Sequence, residues 1–163
     1  LDIHALADQL KATPLSLAIS GSDTLFPLLE CVHVAAVATV VGSIAIVDLR
    51  LIGVRARERD VNDLLRQLVP ISLCAFVVAA ITGALMFISK PDVYIANIFF
   101  TVKMVLLLIA GLNMLTFHLV FSRGLAGAGR AARLPAPARV SGLLSLGFWI
   151  AIITCGRWIG FTT

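Results

Sequence analysis

Four apolar runs, at about Leu25–Leu49, Val69–Ser89, Ile98–Phe121 and Val140–Phe161, constrain this chain more than any other feature. A bilayer hydrocarbon core of roughly 30 Å is crossed by a helix of about 20 apolar residues, and each run meets that length. The chain is 60% hydrophobic and 13% charged, with mean hydropathy +1.01, which excludes an ordinary soluble domain. The reading is an all-α, integral membrane four-helix transmembrane bundle, a single membrane domain over residues 1–163. Residues 1–24 precede the first span. Asp2, Asp8 and Lys11 break any continuous apolar stretch there, so no signal peptide is expected. Leu1, Ile3, Leu6 and Leu10, then Leu15, Leu17 and Ile19, predict a short interfacial amphipathic segment broken at Pro14 and Gly21-Ser22.

Charge sets the orientation. Arg50, Arg55, Arg57, Arg59 and Arg66 lie in or beside the first inter-helix loop, and Arg123, Arg130, Arg133 and Arg139 in or beside the third. Lys11 and Lys90 are the basic residues on the opposite side. Cytoplasmic loops carry the excess of Lys and Arg. Both arginine-rich loops are therefore assigned to the cytoplasm of a bacterial inner membrane, with both termini and the Lys90–Asn97 loop periplasmic. The basic loops lack interleaved aromatics, so nucleic acid is not an expected partner. Composition predicts a mobile loop over Ser122–Ala138.

Ionisable groups inside the spans carry the functional reading, because each costs about 2.5–3.5 kcal/mol at a helix centre on insertion scales. The first span holds Glu30 and His33 near one end and Asp48 near the other, with Glu30, Val37, Val41 and Asp48 on one stripe. The third holds Lys103, Leu107, Ala110, Gly111, Met114 and His118 close to one face. The fourth places Arg157 beside Trp158. Counted from the helix ends, Glu30, His33, Lys103, Arg157, Met86 and Met104 fall in the outer half of the bilayer. Asp48, Asn113, Thr116 and His118 fall in the inner half.

His33 and His118 invite comparison with paired axial ligands of a b-type haem. They differ in depth by about 15 residues, roughly 20 Å at about 1.5 Å per residue, so one haem cannot use both. An outer haem would take His33 with Met86 or Met104, or His33 alone; a pigment or quinone is less demanding. Against this stand plainer roles. Lys103 and Arg157 can snorkel to headgroups, Glu30 can neutralise one of them, and His33 can be a hydrogen-bonded packing residue. His118 reads as structural, and Asp48 as the partner of a local arginine at the surface. Cys31, Cys74 and Cys155 show no CxxC or CxxCH spacing, which excludes covalent haem attachment and iron–sulfur ligation. No nucleophile elbow, HExxH, P-loop or dinucleotide fingerprint is present, so no catalytic residue is assigned.

The segments FPLLExxHV, VGSIAIVDLRLIG, ISK, ANIFFTVKM, GLN and GRWI, spread from about Leu15 to Phe161, resemble a family of small four-helix bacterial inner-membrane proteins. That family is a domain of unknown function. The resemblance implies the four-span architecture, and it matches Glu30, His33, Asp48, Arg50, Lys103, Arg157 and His118 to the family's polar positions. The expectation is a redox- or cofactor-associated subunit, holding haem b, pigment or quinone at an outer-leaflet site around His33. The alternative is a structural accessory subunit of a larger membrane complex, with lipid and other subunits as its partners.

Overall fold

A computed structural model of the chain describes residues 3–54, 61–121 and 135–162. Among them every regular element is helical. Two short helices come first, α1 (Ile3–Lys11) and α2 (Pro14–Ser20). The long helices are α3 (Leu25–Ile52), α4 (Val61–Ser89), α6 (Ile98–Thr116) and α7 (Ala136–Thr162). A five-residue helix, α5 (Pro91–Ile95), sits between α4 and α6, and a π-helical turn, Phe117–Phe121, extends α6. All four long helices have the length and apolarity to cross a membrane. Arg55, Arg57, Arg59, Arg123, Arg130, Arg133 and most of the expected mobile loop lie outside the described residues.

The local chemistry accounts for the boundaries. Thr13 caps α2, its hydroxyl accepting from the Ser16 N–H, and Pro14 takes the first position, where no N–H is needed. Gly53, at φ 87°, ends α3 by donating its N–H to the carbonyls of Leu49 and Arg50, a left-handed cap that a side chain would strain. Asn97 caps α6 by accepting from the Phe99 N–H. Two expectations are corrected. Pro70, which lacks an N–H and reads from the sequence as a kink or a fresh start of the second span, does not restart it: one helix runs from Val61 to Ser89 through it. The Lys90–Asn97 loop is mostly helix, because Pro91 opens a turn that Asp92 favours at its N-terminal end.

Packing follows one strip of α3. Ala36, Val40, Ser43, Val47 and Leu51 recur at steps of three or four residues and are buried. Of the Glu30, Val37, Val41 and Asp48 stripe read from the sequence, Asp48 is buried, Val37 and Val41 are partly buried and Glu30 is exposed. α3 packs on α4 along one side and on α7 along the other; α6 packs on α7. The lateral order is therefore α4, α3, α7, α6, and α4 and α6 do not pack along their length. They meet at one end, where Phe87 of α4 stacks on Phe100 of α6 at 5.5 Å and Tyr94 of α5 contacts both rings. Lys11 of α1 pairs with Asp92 of α5 at that same end, and Lys90 sits over the Phe26 ring. At the other end Val47, Leu51, Phe117 and Ala138 form the apolar core, with Leu65 and Leu68 against it.

Polar ties hold the helix pairs. The Asn113 side chain donates to the Ser141 carbonyl at 3.1 Å, and the Ser141 hydroxyl donates back to Asn113 Oδ1 at 3.1 Å, joining α6 to α7. Asn97 Nδ2 donates to Thr162 Oγ1 at 2.8 Å, joining the same two helices at their other ends. Between α3 and α7 the device is close approach: a Cβ on Gly142 would lie 3.2 Å from the Asp48 carbonyl and 3.2 Å from Leu51 Cβ. Gly142→Leu is expected to destabilise the bundle by about 1–3 kcal/mol, the usual cost of overpacking. Gly147→Ala, which meets nothing within 4 Å, is expected to be near neutral. Thermal unfolding in detergent monitored by helical signal reads the difference.

Candidate functional site

Of the polar residues expected in the outer half, His33 has the most definite environment. Its Nδ1 lies 2.9 Å from the Ala79 carbonyl and 3.0 Å from Thr82 Oγ1, both on α4. A carbonyl only accepts, so Nδ1 carries the proton and donates. The Thr82 hydroxyl spends its own hydrogen on the Val78 carbonyl at 2.8 Å, and its lone pairs are left to receive the imidazole. The neutral ring therefore keeps an unprotonated Nε2, a lone pair for a metal or a hydrogen-bond donor. Fixing one ring nitrogen on a backbone carbonyl is the ordinary way a ligating histidine is oriented.

Glycines make room for both outer ionisable groups. A Cβ on Gly83 would lie 3.1 Å from His33 Cε1, so the absence of a side chain there lets the ring settle on α4. A Cβ on Gly156 would lie 3.5 Å from Lys103 Nζ. Lys103 is thus partly buried against α7 rather than extended along the bundle surface. Lys103 and Glu30 are near enough for their charges to act on the His33 ring. Glu30 also faces Tyr94; burial first, and that carboxylate second, push the phenol above its ordinary range.

The remaining expected members stand apart. Arg157 is exposed, its guanidinium 4.5 Å from the centroid of the Phe161 ring. Met104 is 50% exposed on the outside of α6. Met86 follows Thr82 and Gly83 by one turn, shares their face of α4 and is partly buried. The compact group is therefore His33, Glu30 and Lys103, with Met86 one turn away. His118 lies in a different place, on a cavity shared with Asp48. Asp48 is not the surface partner of a local arginine: it is 5% exposed, and the Ser145 hydroxyl of α7 donates to its carboxyl. The residues that sequence reasoning missed are Ala79, Thr82, Gly83 and Gly156. The Thr82-Gly83 pair is visible in the chain, but nothing in its spacing says which helix it faces. Among the described residues no cluster of three His, Cys, Asp or Glu could hold a metal, so a metal here would depend on His33 with a macrocycle or a methionine.

A double-mutant cycle of His33→Ala with Thr82→Val tests the geometry. The coupling free energy is expected near about 0.6 kcal/mol and below about 1.7 kcal/mol, as for interhelical hydrogen bonds in lipid. Additive effects in unfolding measurements would mean the two side chains do not touch.

Comparison with known proteins adds the family. No curated protein and no solved structure matches the chain. A family model matches residues 22–162, from just ahead of α3 to the end of α7. The span covers every residue of the His33 group and both partners on α7. The chain belongs to that family, the family of unknown function DUF6644.

Proposed function

We propose that this protein is a multi-pass inner-membrane subunit that holds a redox-active or light-absorbing cofactor, haem b, pigment or quinone, at an outer-half site built around His33. The observation that carries the reading is the Nδ1–H donated to Ala79, which leaves Nε2 as a positioned lone pair. Lys103 offers a partly buried positive charge at the same level, suited to a propionate or a reduced carbonyl. Of the two methionines considered as a second haem ligand, Met86 is favoured by its face and Met104 disfavoured by its exposure. Glu30, which is exposed, borders the site, whereas Arg157 stands apart from it over the Phe161 ring. When bound, the group would supply one-electron or light-absorbing chemistry; the chain's own residues hold and orient it.

The orientation reading supports an outer location. Arg50 and Arg139 lie at the end where Val47, Leu51 and Ala138 pack, whereas Lys11, Asp92 and Lys90 gather at the opposite end. Under the positive-inside rule the His33 end faces the periplasm, as do both termini. A structural accessory subunit, with lipid and larger membrane subunits as partners, is the second reading. One observation favours it: the same His33 bonds tie α3 to α4, a packing role that needs no cofactor.

The absorption spectrum of the protein purified with its co-extracted molecules distinguishes the two. The cofactor reading predicts a reducible Soret-region band, a pigment band, or stoichiometric quinone in the solvent extract, each lost in His33→Ala. A colourless, quinone-free preparation that carries larger subunits in fixed proportion supports the accessory reading instead.

A further inference from the structure

The inner half of the bundle contains a cavity that the His33 group does not touch. Its volume is about 380 Å³, within the range of small-molecule sites, about 300–1,000 Å³. All four long helices contribute to its walls, which are mostly apolar. It lies where α4 and α6 fail to pack, beyond the Phe87–Phe100 stack that joins them at the other end. Between two membrane-crossing helices such a gap would give a lipid-dissolved molecule a lateral way in.

Several of the polar groups on the wall, which also carries Ser72, His118 and Trp149, have partners. The Ser43 hydroxyl donates to the Thr39 carbonyl at 2.7 Å, and Asn113 and Ser141 satisfy each other. Asp48 is different. The residue is 5% exposed, Ser145 donates to its carboxyl, and Oδ2 has no hydrogen-bond partner among the described residues. A carboxylate buried in an apolar wall with an unmet oxygen is costly; taking up a proton lowers that cost, and so does the arrival of a cation that is also a donor. A neutral hydroxyl would supply the donor and leave the charge. A metal ion is poorly served, because a single carboxylate among aliphatic walls offers no ligand set. An ammonium supplies charge and donor together. The walls suit the rest of such a molecule: Phe76, Phe117 and Trp149 present aromatic surface, and cations are attracted to aromatic faces.

We propose that this cavity is a binding site for a lipophilic organic cation. The ligand is a protonated aliphatic amine on an apolar or aromatic body, its ammonium on Asp48 Oδ2 and its body lying between α4 and α6.

The test is saturation binding of radiolabelled phenylbutylamine to the full chain in nanodiscs of zwitterionic phosphatidylcholine, with binding to empty nanodiscs subtracted. One saturable site per chain is expected. Asp48→Asn should weaken it by about tenfold or more, and unlabelled phenylbutanol, the neutral counterpart, should not compete. Gly111→Phe gives an independent block, since Gly111 lines the cavity and a Cβ added there meets nothing within 4 Å. It adds a ring on α6 and leaves the Asp48 carboxyl itself unchanged, and it stands in if Asp48→Asn fails to fold. Helical content and elution volume confirm that each variant is intact. Non-saturable binding, unchanged affinity in folded Asp48→Asn or Gly111→Phe, or competition by phenylbutanol as strong as by the amine would each overturn the proposal.

Discussion

In lipid the hydrophobic effect does not press one helix against another, because the tails are as apolar as the side chains. Association has to come from close packing and from polar ties, and in this chain both converge on α3. Its small and β-branched strip, Ala36, Val40, Ser43 and Val47, faces inward. His33 fastens one end to α4, and Gly142 lets α7 come within contact of Asp48 and Leu51 at the other. α6 is held by α7 instead, through Asn97–Thr162 and Asn113–Ser141. The four helices thus form an open series with α4 and α6 at its ends, bridged by aromatic rings on one side only. The inner cavity follows from that arrangement.

Such a bundle exposes much of its apolar surface, as a lipid-solvated protein should. On α6, Leu108, Leu112 and Leu115 are more than half exposed, and Ala110 is the buried residue of that helix. Polar atoms in this setting stay low in energy only when paired. Thr39, Thr116 and Thr154 return their hydroxyls to carbonyls one turn back on their own helices. Against that background His33, Lys103 and Asp48 stand out. Two of them rest over glycines of neighbouring helices, and the third retains an oxygen with no partner.

Much of the architecture was legible in the chain. Apolar run length identified the spans, Pro14 and Gly21 marked the breaks of the amphipathic segment, and of the face that periodicity grouped, Leu107, Ala110, Gly111, Met114 and His118 line the cavity while Lys103 does not. The failures have physical causes. Pro70 reads as a break because it lacks an N–H, yet a helix long enough to pack along α3 can absorb one missing bond. Gly83 and Gly156 look like ordinary helical glycines until the side chain facing each across the interface is known. Asp48 was assigned to the surface because Arg50 follows it two positions later, but residues two apart on a helix do not face one another.

The central claim concerns the imidazole: His33 donates from Nδ1 to α4 and presents Nε2 as a lone pair. Nitrogen-15 NMR of ring-labelled histidine in lipid bilayers, with His33 assigned by its absence in His33→Ala, measures this directly. The account predicts a protonated Nδ1 and a non-protonated Nε2 for this residue at neutral pH. A protonated Nε2 with a bare Nδ1, or a ring protonated at both nitrogens, would contradict it.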